Sequence, residues 1–378
     1  MVKGIILSGG FGTRLRPLTC IIPKSLIPVV NKPVIERQIL LLKATGVKEV
    51  VLAVSVMSDI VKNYFKDGKK LGIKISYTNE KHPMGTAGAI KLAESYLDND
   101  NFFMLNGDVI LNFNFKDMLN FHEKYNGIGT IASKVVEDPS PYGVLIADPG
   151  TNQLFKFLEK DEYSPPNGKI IPMPVNAGVY ILEPDIFSYI KPNKKASIEK
   201  DIFPKVLVDK KIYHFPITGI WKDIGKPYEL LQGSILLMND ILKNLKGKRK
   251  SLVDNSADIA LNTKIIHPCT IGENVVIRGM CKIGPNAIIG DNVYIDESSI
   301  IKESLVYNDT YISKNVNIQN AIISDNCIIE DYVQIGGKDE DLVILASYVK
   351  VLRNIKLIAK EGEPITYCHH VEVNESLI

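Results

Sequence analysis

The chain has 378 residues, 45% hydrophobic and 23% charged, a balance that buries a full core and at this length suits two domains. Its 45 Lys and Arg against 43 Asp and Glu leave a net charge of +2, too mild for nucleic acid or an anionic membrane as the main partner. No apolar run approaches membrane-spanning length, MVKGIIL is too short for a signal peptide, and five scattered cysteines fit neither a disulfide framework nor a paired-cysteine metal site; a cytoplasmic chain is expected.

The first expected strand, Gly4–Leu7, runs into SGGFGTRLRPLT at Ser8–Thr19. Further β-branched runs follow at Val50–Val54, Ile73–Tyr77, Phe102–Leu105 and Thr130–Lys134, separated by helical stretches such as Gly85–Leu97 and Lys116–Tyr125. Such alternation predicts an α/β domain with a Rossmann-like mixed, mostly parallel sheet, whose ligands sit beyond the carboxyl ends of the strands. The glycine stretch stands at one such end.

Pro227–Lys250 reads as an amphipathic helix that ends in a basic, glycine-containing linker. Beyond it the period changes. Ile259, Ile265, Ile271, Ile277, Ile283, Ile289, Ile295 and Ile301 are six apart, with small residues such as Cys269, Cys281 and Ala287 four places after an isoleucine. The series slips by one to Val306, Ile312 and Ile318, slips again to Ile323, Ile329 and Ile335, and resumes at Leu345, Val351 and Leu357. A period of six suits a solenoid with three hexapeptides per triangular coil. This half resembles the left-handed parallel β-helix of hexapeptide-repeat proteins, with Cys269, Cys281 and Cys327 as core residues. The expected division is 1–230 for the α/β domain, 231–250 for a helical linker and 251–378 for the β-helix.

Gly10-x-Gly12 after a strand is a partial dinucleotide fingerprint, but Leu15 stands where the third glycine belongs, and no Gly-Lys-Ser/Thr follows to make a Walker loop. Arg14 and Arg16 sharpen the reading. Glycines let backbone N–H groups approach phosphate oxygens, and Arg14 can fork onto them. Lys24, in IPKSLIP, adds a point charge. A nucleoside triphosphate is the expected ligand.

GGFGTRLRPLT followed by PKSLIPVVNKPVIE resembles the signature of the sugar-nucleotide pyrophosphorylases (nucleotidylyltransferases). The likeness continues in order through PMGTAGA at 83–89, LNGDV at 105–109, YGV at 142–144, Glu159–Lys160, NAG at 176–178 and WKDIG at 221–225. With the β-helix included it covers essentially the whole chain. Two positions depart from the family pattern, since Ser25 and Asp161 stand where proline is usual.

The resemblance implies transfer of a nucleotidyl group to a sugar 1-phosphate with release of pyrophosphate, by in-line displacement without a covalent enzyme intermediate. It assigns nucleotide contacts to Leu7, Gly9, Gly10, Gly12, Thr13, Arg14, Lys24, Glu80, Gly85, Thr86, Gly107 and Asp108. Gly143, Glu159, Lys160, Asn176 and Asp223 would hold the sugar phosphate. Asp108 and Asp223 would bind Mg²⁺, and Arg14, Lys24, Asp108, Lys160 and Asp223 form the expected catalytic set.

Glu80 stands where thymidylyl and uridylyl members carry glutamine. Guanine presents two adjacent donors, N1–H and N2–H₂, that one carboxylate accepts, whereas uracil and thymine offer one N–H flanked by carbonyls. GTP is therefore the expected nucleotide, and the resemblance implies mannose 1-phosphate as the acceptor, with glucose 1-phosphate and dTTP or UTP as the alternative pair. An acyltransferase in the β-helix is disfavoured because His267 is the one histidine in the coils ahead of the tail. A non-catalytic regulatory subunit is disfavoured because the charged set is complete. Open coil edges favour a homo-oligomer through the β-helix.

Overall fold

The computed structural model describes residues 2–80, 82–245 and 249–377. It divides into two compact units, the first made of Met1–Phe11, Pro23–Leu26 and Val34–Trp221, the second of Gly12–Ile22, Ile27–Pro33 and Lys222–Ile378. The second unit thus takes in two N-terminal segments that a linear division at 230 and 250 leaves with the first.

In the first unit the strand Lys3–Ser8 is central. It pairs in parallel with Glu49–Val54 on one side and Phe102–Asn106 on the other, and Glu49–Val54 pairs in parallel with Lys74–Asn79. Ile5, Ile6, Leu52, Ala53 and Phe102–Leu105 are essentially fully buried, the continuous apolar run expected of strands covered on both faces. Met173–Leu182 then pairs antiparallel with Phe102–Asn106 and with Gly129–Val136, and Ile212–Pro216 returns in parallel beside Gly129–Val136. The sheet is mixed, and its parallel part carries the glycine stretch at the carboxyl end of the first strand.

The helical stretch expected at Gly85–Leu97 is two helices, Gly85–Leu92 and Glu94–Leu97. At the break Ala93 (φ −95°, ψ 3°) bonds its N–H to the carbonyl of Ile90, three residues back.

In the second unit Pro227–Asn244 is a helix with proline at its first position. Glu229 caps it, accepting the backbone N–H groups of Gly225 and Lys226 at 2.8 and 2.7 Å. Of the expected basic linker, residues 246–248 lie outside the described residues.

From Leu252 the unit is a left-handed parallel β-helix of three sheets, with seven, seven and six strands. The first coils repeat every 18 residues, as in Cys269 beside Ala287 and Lys282 beside Ile300. The next repeat every 17, as in Ile288 beside Leu305 and Leu305 beside Ile322. The last repeat every 22, as in Ala321 beside Val343. Three hexads per coil, the two slips and the late resumption at Leu345 are all accounted for. Ile271, Ile277, Ile283, Ile289 and Ile295 are at most 1% exposed, each contributing about 1.5–3 kcal/mol of burial. Cys269, Cys281 and Cys327 are free thiols buried in this core.

The corners follow a second pattern. Asn274, Met280, Asn286, Asn292 and Ser298 have φ between 54° and 62°, each three residues after a core isoleucine. Asparagine is the side-chain-bearing residue that best tolerates this left-handed turn. At both slips the spacing shortens, with Glu303 two residues after Ile301 and Asn320 two after Ile318, so the missing residue is lost at a corner and the strands keep their register.

The N-terminal segments lie along this solenoid within the second unit. Asn31 Nδ2 donates to the Ile289 carbonyl at 2.7 Å, the Tyr307 hydroxyl donates to the Pro28 carbonyl at 3.1 Å, and His369 Nε2 meets the Pro17 carbonyl at 2.9 Å. Among the described residues no helix is long and apolar enough to cross a membrane.

Candidate active site

A cavity of about 310 Å³ opens beyond the carboxyl ends of the parallel strands in the first unit. Leu7, Ser8, Gly9 and Gly10 form one wall as the first strand ends. Nothing stands within 4 Å of the place a Gly10 side chain would occupy, so its backbone is open to a ligand. On the neighbouring strand end, Gly107 donates its N–H to the Leu7 carbonyl at 2.9 Å, and an added Cβ would stand 2.6 Å from that oxygen. Glycine is required there by close backbone approach.

The charged floor is a pair. Lys24 Nζ lies 2.6 Å from Asp108 Oδ2, with the lysine side chain 10% exposed and the aspartate 40%. Asp108 follows the strand end, and Lys24 is presented by the short turn Lys24–Leu26. Ser25, at the usual proline position, is buried, with its Oγ 2.5 Å from that of Ser8. The serine replaces a rigid ring with a hydrogen bond to the first strand.

Glu80 lines the adjoining wall. Its Oε2 accepts the Met84 N–H at 2.8 Å, which fixes the carboxylate, and Oε1 lies beside Gly9. Burial holds its pKa above the usual carboxylate range, partly offset by the Met84 bond. Gly85 and Thr86 complete this wall at the start of the helix. Gly85 has φ +71°, and a Cβ would stand 2.5 Å from the Ala196 carbonyl.

Of the residues expected to hold sugar phosphate, Gly143, Glu159, Lys160 and Asn176 lie further along the first unit. The Gly143 carbonyl accepts the Asn176 N–H at 2.8 Å. Asn176 Oδ1 accepts from the Gly178 N–H and its Nδ2 donates to the Tyr180 hydroxyl at 2.7 Å. Glu159 lines a separate cavity with Asp161, Glu199 and Lys200. Burial raises its pKa, and Glu199 adds to the rise. Lys160 is exposed. Asp161, at the other departed proline position, pairs with Lys200 at 3.0 Å.

Gly12, Thr13, Arg14 and Asp223 belong to the second unit. Arg14 sits in the short turn Thr13–Leu15, and its guanidinium lies beside Gly225, where an added Cβ would be 3.0 Å from Nη1. Arg14 and Gly225, which come from distant stretches of the sequence, therefore meet within that unit. Asp223 ends the strand Ile220–Asp223.

Glu199 is a residue that sequence reasoning missed. It is 9% exposed and accepts three hydroxyls, from Thr86 at 2.9 Å, Ser197 at 2.7 Å and Tyr180 at 2.8 Å. One buried carboxylate thus links Thr86, on the cavity wall, to Asn176 through Tyr180. Burial and the Glu199 charge drive the Tyr180 hydroxyl pKa well up, so it remains a donor. The local sign was SIEK at 197–200, with Ser197 as a helix cap whose hydroxyl accepts the Lys200 N–H.

The chemistry available is that of polyanion binding: open backbone, a buried lysine and a half-exposed carboxylate that already holds a cation. That last point fits a hard divalent ion, because Asp108 attracts the Lys24 ammonium as it stands.

Residues 3–239 match the nucleotidyl transferase family, and residues 265–377 match the GMPPB C-terminal domain. The mannose-1-phosphate guanylyltransferase catalytic subunit beta of Dictyostelium discoideum is 43% identical over 73% of this chain and 73% of its own. Mannose-1-phosphate guanylyltransferase 1 of Arabidopsis thaliana is 36% identical over 93% of this chain and 92% of its own. Among solved structures, HddC from Yersinia pseudotuberculosis complexed with GMP-PN superposes with a TM-score of 0.53 at 28% identity, covering 62% of this chain and 98% of that one.

Proposed function

The chain belongs to the nucleotidyl transferase family, an enzyme joining a nucleotide to a sugar 1-phosphate, and from that premise we propose that its substrates are GTP and mannose 1-phosphate. A sugar-phosphate oxygen attacks the α-phosphorus of GTP, the bond to the β-phosphate bridging oxygen breaks, and pyrophosphate leaves with that electron pair. GDP-mannose and pyrophosphate are the products.

In this reading the open backbone at Gly9 and Gly10 and the Lys24 ammonium receive the triphosphate, and Arg14 forks onto its oxygens. Guanine lies against Gly85 and Thr86, with its N1–H and N2–H₂ donating to the Glu80 carboxylate. Lys160 neutralises the incoming phosphate, while Glu159, Asn176 and the Gly143 backbone orient the sugar. Magnesium would be held by Asp108 and Asp223, and when bound it supplies positive charge to the phosphoryl oxygens. The protein's own contribution is alignment and charge neutralisation, the two effects phosphoryl transfer responds to. The domain bounds 1–230, 231–250 and 251–378, and a cytoplasmic setting, belong to the same proposal.

The observation that carries the nucleotide choice is Glu80, fixed by Met84 on the wall of the cavity. The names of the relatives support it. A matrix of four nucleoside triphosphates against mannose, glucose and glucosamine 1-phosphates, read by pyrophosphate release, tests it. GTP with mannose 1-phosphate should give the highest kcat/KM. Equal or better turnover of dTTP or UTP with glucose 1-phosphate would overturn the substrate assignment and leave the reaction class standing.

A further inference from the structure

The helix Val34–Ala44 packs an apolar stripe into the core of the first unit, with Val34, Ile35, Ile39 and Leu42 at most 2% exposed. Gln38 stands in the same stripe, one turn from both Val34 and Leu42, and is 1% exposed. Helical spacing calls for a further aliphatic at that position.

A buried amide is costly unless it is hydrogen-bonded. Gln38 Nε2 donates to the Asn106 carbonyl at 2.8 Å and to the Val109 carbonyl at 3.0 Å, which uses both of its hydrogens. Its Oε1 is buried and has no hydrogen-bond partner. An aliphatic side chain would avoid that orphaned acceptor, so what the amide contributes is its pair of donors.

The two carbonyls flank Gly107 and Asp108, the turn between the strands Phe102–Asn106 and Val109–Asn112. One side chain therefore grips the turn at both ends, while the Gly107 N–H ties it to Leu7 on the first strand. The Asp108 side chain is 40% exposed and meets Lys24 through Oδ2. With so little packed around the carboxylate, the placement of the turn decides where it stands.

We propose that Gln38 is a positioning residue for the reaction, holding the Gly107–Asp108 turn so that the Asp108 carboxylate can exchange Lys24 for a divalent ion. This rests on the reading of Asp108 as a metal ligand. Gln38 itself touches neither substrate nor ion. A purely structural Gln38 would satisfy two backbone carbonyls, and its loss would lower stability while leaving the metal site as it was.

Gln38→Met keeps the length of the side chain and suits the apolar stripe, but it donates to neither carbonyl. Its Mn²⁺ affinity in the presence of GTP, read by electron paramagnetic resonance without turnover, should fall about tenfold or more, and kcat by a similar factor. GTP affinity measured in EDTA should stay within about twofold, since Gly9, Gly10 and Glu80 are untouched. Ile39→Val, a packing change in the same helix, should leave all three at wild-type values. On an Asp108→Asn background Gln38→Met should weaken Mn²⁺ no further, because the group it acts through is gone. Should Gln38→Met fail to fold, Gln38→Asn, one methylene too short to hold both carbonyls, should show the same pattern.

Wild-type Mn²⁺ affinity and kcat in folded Gln38→Met or Gln38→Asn overturn the proposal. So does an equal loss in Ile39→Val, or an undiminished loss on the Asp108→Asn background. The underlying reading fails by a different result: Asp108→Asn alone would bind Mn²⁺ as wild type does.

Discussion

Lys24 and Asp108 are held together at 2.6 Å on the floor of a cavity whose walls are bare backbone. The lysine is mostly buried, so the aspartate is its counter-charge until a substrate arrives. Phosphate and a divalent ion would re-partition that pair, the anion taking the lysine and the cation the carboxylate. Lys24→Ala should lower kcat/KM by about 10²–10³-fold, the usual loss on removing one charge-stabilising donor. Asp108→Asn should raise the magnesium concentration needed for half-maximal rate. A magnesium titration that superposes on wild type would remove Asp108 from metal binding.

Glu80 makes a prediction with a sign. Its pKa is raised by burial, so on acidification it takes up a proton earlier than an exposed glutamate does. The protonated group loses acceptor capacity toward guanine. KM for GTP should therefore climb as pH falls through that raised pKa, and Glu80→Gln should flatten the rise while narrowing the preference for GTP over dTTP. Steady-state kinetics with both nucleotides across the acid limb checks this.

Glu199→Ala would leave the buried hydroxyls of Thr86, Ser197 and Tyr180 without their shared acceptor. The expected loss of stability is about 3 kcal/mol. Glu199→Gln keeps one acceptor and should fold normally with a higher KM for the sugar phosphate, because Asn176 is held through Tyr180. Equal kinetics for Glu199→Gln and wild type would reduce Glu199 to a packing role.

His122 governs a different pH response. It is 1% exposed, its Nδ1 lies 2.9 Å from the Thr130 hydroxyl, and burial lowers its pKa from 6.5 to about 4. The unfolded chain binds a proton below pH 6.5 that the folded chain refuses. Stability is thus fully present above that pH and is lost as pH falls toward 4, by about 3 kcal/mol from this group. Urea midpoints measured from pH 7 to 4 should fall more steeply for wild type than for His122→Gln.

Legibility in the sequence followed the range of the contacts. The β-helix was readable because each coil repeats its own pattern, so isoleucines six apart announce the core. Its corners repeat too, at Asn274, Asn286 and Asn292, but through backbone tolerance rather than hydrophobicity, and a search for apolar spacing passes over them. Gly9, Gly10, Lys24, Glu80 and Asp108 were legible as short contiguous motifs, and nine of the twelve expected nucleotide contacts line one cavity. The Glu199 network was not legible, because Thr86 lies 113 positions from its acceptor. The placement of 12–22 and 27–33 in the second unit was equally hidden, since those segments have no repeat of their own and bonds such as those of Asn31, Tyr307 and His369 join residues far apart in sequence.

The change in coil length from 17 to 22 residues has an evolutionary reading. Ala321 stays beside Val343 and Gln334 beside Lys356, so the five extra residues are taken up between Gly336 and Val343, at one vertex of the triangle. The next coil bulges at the equivalent place, before Ile365. That vertex is a natural graft point: foreign peptide inserted there would hang outside the stack, leaving the rungs above and below undisturbed, and lineages are free to diversify the enzyme's exterior there without refolding its scaffold.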